Sequence, residues 1–192
     1  MLQPRTFTAL AAVTVAAAVL TVPRALYAQE DDAFVPQMPA PPTKVHEKLQ
    51  ESVGEWNGTI DSNYPGMPPM KSAATETVTS LGPYHTVSRF SCDFMGMPYE
   101  GLGTMGYDPE TETMHGTWTD SVNTYHNVMK GKMDLETGTV DMIYEAPAPD
   151  GSGLVRHRNH VQLGKDQYSI HFYMGAEGDE LHFMTLEMKR KK

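Results

Sequence analysis

The chain has 192 residues (21.3 kDa) with 40% hydrophobic and 20% charged residues, 16 Gly and 14 Pro, which fits one globular domain rather than a fibre or a disordered tail. Its 15 Lys and Arg against 24 Asp and Glu give a formal net charge of -9. A protein that holds a phosphate backbone needs clustered cations, so nucleic acid is not an expected partner.

At the N-terminus, Arg5 precedes an apolar run from Phe7 to Val22 that is too short and too weakly flanked for a membrane span. It reads as a secretory signal over residues 1–28, with a cut expected at Ala28/Gln29. No Cys follows the run, so a lipid anchor is not expected, and the mature form should be periplasmic or secreted with no membrane span. Losing Arg5 and Arg24 with the signal moves the formal charge from -9 to -11. Gln29 to Pro42 carries Pro36, Pro39, Pro41 and Pro42 and suits an extended linker.

The folding unit is expected over residues 43–192. Val45, Leu49 and Val53 recur every four residues behind the cap residue Thr43, the pattern of one short amphipathic helix. From Gly54 onward the period changes to two. Turn signals break the short runs at Asn63 to Pro69, Gly82-Pro83, Gly96-Met97-Pro98, Asp108-Pro109-Glu110, Leu135 to Gly138, Pro147 to Gly153, Gly164-Lys165-Asp166 and Glu177-Gly178-Asp179. About ten antiparallel strands are too many for an open twisted sheet of this size, so the expected fold is all-β, a closed up-and-down barrel with one N-terminal helix.

Several ordered motifs then resemble a known group: His46-x-x-Leu49, Gly54-Glu55-Trp56-Asn57-Gly58, Gly96-x-Pro98-Tyr99-Glu100-Gly101-x-Gly103, Gly106-Tyr107-Asp108, Trp118-x-Asp120 and Asn123-Thr124. From about His46 to Arg190 the chain resembles the bacterial family known as domain of unknown function 1579. That resemblance implies an often exported, lipocalin-like barrel of about ten strands without an established activity. Gly54-x-Trp56 also resembles the opening of the wider lipocalin group, which implies that Trp56 plugs one barrel end against a basic residue of the last strand, here Lys189 or Arg190. An indole beneath a cation contributes about 0.5–2 kcal/mol.

The eight His invite a geometric test. His157 and His160 differ by an odd number and point to opposite faces of one strand. If Lys165-Asp166 forms a two-residue loop, His160 opposes His171 across the hairpin. Arg156, Arg158, Gln162, Ser169 and Tyr173 share their face, while Val155, Val161, Leu163, Tyr168, Ile170 and Phe172 share the other with His157 and Asn159. The simpler arrangement lines the barrel with the apolar set and leaves His157 and Asn159 as polar handles. In the alternative, Arg156, Arg158, His160, His171 and Tyr173 line a wet cavity suited to an acidic or haem-like ligand.

Other residues have simpler roles. Asp108 before Pro109 suits a type I turn, and Asp120 with Ser121 and Asn123 suits a turn cap. Cys92, the only Cys, reads as a buried thiol. The abundant Met suits adaptable filling, with Cu(I) binding through thioethers as the alternative. No nucleophile elbow, phosphate loop or zinc-spaced set exists, so no catalytic residue, metal or cofactor is expected. The expected function is binding of a small, partly apolar molecule in the barrel, through Trp56, Tyr107, Trp118, Asp120, Arg156, His157, Arg158, His160, His171 and Tyr173. A haem-binding or converting barrel and a partner-binding module with a filled core are the alternatives.

Overall fold

The computed structural model describes residues 40–94 and 96–192. The signal expected over 1–28 and nearly all of the linker expected over 29–42 lie outside that range. Among the described residues, no helix is long and apolar enough to cross a membrane.

One helix, α1 (Lys44–Gln50), precedes ten strands: β1 (Gly54–Ser62), β2 (Met70–Leu81), β3 (His85–Phe94), β4 (Met97–Asp108), β5 (Thr113–Asp120), β6 (Asn127–Asp134), β7 (Thr139–Pro147), β8 (Leu154–Leu163), β9 (Gln167–Met174) and β10 (Leu181–Arg190). Each strand pairs antiparallel with its sequence neighbour, and β1 pairs with β10 from Trp56↔Arg190 to Ser62↔Met184. The sheet therefore closes into an up-and-down barrel with no free edge. Nine connections join the strands; the one the turn signals did not mark as a break is 121–126, between β5 and β6.

Alternation along the strands divides inside from outside. Trp56, Ile60, Ala74, Val78, Phe90, Cys92, Tyr168, Leu186 and Met188 are buried as one cluster. A second cluster joins Val45 and Leu49 of α1 to Met114, Met129, Val140, Met142 and Val161, so the helix covers one barrel end. The helix is shorter than its apolar spacing suggests. After Gln50 the chain tightens through Ser52 N–H to Leu49 O (3.1 Å) and Val53 N–H to Gln50 O (3.1 Å), then enters β1.

His46 fastens this helix. The Thr43 N–H donates to its Nδ1 at 3.0 Å, which leaves Nε2 to carry the proton and donate to the Tyr107 carbonyl at 3.0 Å. The imidazole is 2% exposed and lies edge-on to Tyr84 and Tyr107.

Strand β4 shows why the motif Gly101-x-Gly103 reads as it does. Both glycines stand beneath the Trp118 indole; a Cβ at Gly103 would lie 2.9 Å from its Cε3, and one at Gly101 would lie closer still to its Cζ2. Trp118 opposes Gly103 in the ladder, so the large ring folds inward over space that only glycine leaves free.

Candidate functional site

The barrel holds a cavity of about 550 Å³, large enough for a small organic molecule. It opens at the end carrying the 63–69, 121–126 and 147–153 loops, where Tyr64, Met67, Val122, Asn123, Tyr125 and Pro147 line it. Its wall is chiefly apolar: Ile60, Phe90, Phe94, Met105, Trp118, Met129, Met142, Ile170, Phe172 and Leu186 all contribute.

Hydroxyls of Ser and Thr dot that wall, and two stronger polar interruptions stand out. On β6 and β8, Asn127, His157 and Asn159 face the cavity. Both ring nitrogens of His157 and the Oδ1 atoms of Asn127 and Asn159 are buried without a hydrogen-bond partner among the described residues. A buried polar atom left unpaired costs about 1–3 kcal/mol, so four together mark a place where a bound molecule would recover that cost. His157 is 5% exposed, stacks on Tyr144 at 5.1 Å and meets Phe183 edge-on. Burial holds its imidazole below the ordinary range.

The second interruption is Glu76, whose β1 and β3 neighbours are Trp56 and Phe90. Its carboxyl accepts hydrogen bonds from Ser88 and Tyr168. Burial pushes its pKa up, with the two hydroxyl donors pulling it down. Nearer the mouth, Asp120 accepts the backbone N–H groups of Val122 (3.0 Å) and Asn123 (2.8 Å), the turn role its sequence context implies. Tyr99 accepts the Trp118 indole N–H at 3.1 Å, and burial, reinforced by Asp120, raises the Tyr99 pKa.

The residues expected to bind ligand divide into four groups. Trp118, Asp120 and His157 line the cavity. Trp56, 1% exposed, plugs the floor: its indole donates to Ser52 O at 2.9 Å, and Arg190 lies over its ring. Tyr107 packs beneath α1 rather than on the cavity wall. Arg156, Arg158, His160, His171 and Tyr173 occupy the outer face, so the alternative that placed them in a wet cavity is corrected. The register that aligns them is as expected, with His160 opposite His171. What turns them outward is the alternation that sends Val161, Ile170, Phe172 and His157 inward.

Outside, the cations are already partnered. Glu180 accepts Arg156 and takes the Arg158 fork at 2.7–3.1 Å, while Asp141 accepts Arg158 Nη1 at 3.0 Å and pairs with His160 Nδ1 at 2.9 Å. The two guanidiniums hold the Glu180 carboxyl down at about 2. Arg158 also stacks over Tyr173 at 4.2 Å.

Sequence reasoning did not single out Glu76. The signal was present in Ala74-x-Glu76-x-Val78, whose alternation puts the acid on the buried side.

The comparisons with known proteins agree with this fold. Rv2717c from M. tuberculosis is similar in structure, with a TM-score of 0.60 at 13% identity over 79% of this chain and 100% of that one. The S-type phycobiliprotein lyase CPES from Guillardia theta superposes with a TM-score of 0.52 at 14% identity, covering 77% of this chain and 93% of its own. At such identities the likeness is one of fold, the lipocalin-like barrel. No curated protein was found to match the chain in sequence. Residues 41–190, the barrel with its helix, match the family described as "Protein of unknown function (DUF1579)", and the chain belongs to that family.

Proposed function

We propose that the protein binds a small, partly apolar molecule inside the barrel and acts from outside the cytoplasm. The observation that carries this reading is the cavity of about 550 Å³ whose apolar wall bears the unpaired polar atoms of Asn127, His157 and Asn159. A filled core would leave neither the volume nor the orphaned groups. The export half rests on the apolar segment between Phe7 and Val22.

The test is native mass spectrometry of the exported protein, together with titration of the neutral dye Nile red. A bound mass lost on denaturation, or saturable dye binding abolished by Ala146→Trp at the mouth, is the expected result. Absence of both overturns the reading.

One observation favours a second reading, a haem barrel: His157 offers the cavity a neutral imidazole with both nitrogens free. Against it, Arg156 and Arg158, the cations suited to haem propionates, are committed to Glu180 on the outer face. A Soret band that appears on adding haemin and is lost in His157→Phe would establish this second reading.

A further inference from the structure

If the cavity binds a ligand, as proposed above, its charges restrict the ligand's class. Among the described lining residues the formally charged groups are Glu76 and Asp120, both acids; no Lys or Arg lines the cavity, and burial favours the neutral form of His157. The barrel's arginines lie elsewhere. Arg156 and Arg158 serve the outer clamp, and Arg190 donates to the carbonyls of Glu51, Val53 and Lys165 beneath the Trp56 plug.

An anionic ligand entering this space would lose its water and find carboxylates as the formally charged groups of the described wall, a doubly unfavourable transfer. A cation meets the reverse. Glu76 has both carboxyl oxygens turned to acceptor duty by the hydroxyls of Ser88 and Tyr168, a pattern suited to the ionised form. The same site lacks a positive partner, and burial accordingly raises the Glu76 pKa. Aromatic rings surround the route between the two acids: Phe90 meets Trp118 at 6.1 Å and Tyr99 at 6.1 Å, and Tyr99 adjoins Asp120. Aromatic faces beside a desolvated cation add about 0.5–2 kcal/mol of attraction. The unpaired ring nitrogens of His157 and the unpaired Oδ1 of Asn159 independently mark the same cavity as built for an occupant rather than sealed.

We infer that the barrel selects an organic amine, protonated and carrying an apolar or aromatic body, whose ammonium pairs with Glu76 or Asp120 within the aromatic wall. The apolar body fills the Met- and Phe-lined volume.

The test uses three probes of one shape at pH 7.5: 4-phenylbutylamine, 4-phenylbutanol and 4-phenylbutyrate, each competed against Nile red in the full exported protein. The amine should displace the dye at a concentration at least tenfold below the alcohol, and the butyrate should be weakest. Glu76→Gln, Asp120→Asn or the pair should bring the amine-to-alcohol ratio toward one, chiefly through weaker binding of the amine. Glu76→Gln removes a buried charge and keeps the shape, so it should fold; if it does not, the wild-type ranking and Asp120→Asn decide the matter. Alcohol or butyrate binding as tightly as the amine overturns the amine inference and leaves the cavity reading standing, as does a ratio that survives both substitutions. No dye binding, together with no bound mass in native mass spectrometry, overturns both.

Discussion

The guanidinium carbon of Arg190 lies 4.2 Å from the centroid of the Trp56 ring, so the last strand seals the barrel floor that the first strand begins. The same side chain donates to Lys165 O at 2.9 Å, Val53 O at 2.8 Å and Glu51 O at 2.7 Å, tying β10, the β8–β9 turn and the end of α1 together. Arg190→Ala removes the cation over the ring and leaves three carbonyls without this donor. We expect a loss of about 3 kcal/mol in urea unfolding at neutral pH. Arg190→Lys keeps the charge without the planar fork and should recover less than half of that. Equal stability of wild type and Arg190→Ala would show that the seal contributes nothing.

That seal was legible through the resemblance of Gly54-x-Trp56 to the lipocalin opening, which implied a basic partner at Lys189 or Arg190; the structure gives the part to Arg190. So was the β8–β9 register, because Lys165-Asp166 fixes the loop length and hence sets His160 against His171. Less legible was which face turns inward. Arg156 and Arg158 have their main partner in Glu180, in the connection before β10, and no local pattern announces that contact. Glu76 sits on a buried face by simple alternation, but its donor Tyr168 lies 92 residues away, and only barrel closure brings the two together. His46 was visible as part of a motif without a role. Its role depends on the Tyr107 carbonyl from β4, a contact no helical period contains.

Gly101 and Gly103 give way to Trp118, and the strand pairing leaves the indole no other place. Gly101→Ala should force the ring to move and cost about 1–3 kcal/mol by overpacking. Trp118→Phe alone also destabilises, since it vacates volume and ends the indole bond to Tyr99. Combined, the two substitutions should cost less than their sum, because the smaller ring accommodates the new methyl group. A double-mutant cycle from urea unfolding measures this, and strict additivity would show that the glycine serves some other purpose.

His157 makes stability depend on pH in a direction that can be worked out. Burial lowers its folded-state pKa, while the unfolded side chain titrates near its ordinary value of about 6.5. Below that value the unfolded state binds a proton that the folded state refuses, so unfolding becomes easier as pH falls. His157→Phe keeps an aromatic ring beside Tyr144 and removes the titration. The wild type should therefore lose more stability than His157→Phe between pH 7.5 and pH 5, as read from urea midpoints. Parallel losses in the two proteins would mean that the imidazole is protonated in the folded state too.

Glu180 provides the opposite case on the outer face. Arg158 and Arg156 hold its carboxyl at about 2, so the clamp's contribution is fully present above the unfolded carboxyl's ordinary 4.5 and disappears as pH falls toward 2. Glu180→Gln leaves two guanidiniums facing each other with only Asp141 for relief, and should lower the unfolding midpoint at pH 7 in low salt. Raising the ionic strength should narrow the gap, because these side chains are still partly in water and their attraction is screened. Because the clamp stands on the far side of the strands from the cavity, Glu180→Gln should leave Nile red affinity unchanged while His157→Phe alters it. If instead the clamp variant changes dye affinity as much as the cavity variant does, the division between outer clamp and inner site is wrong.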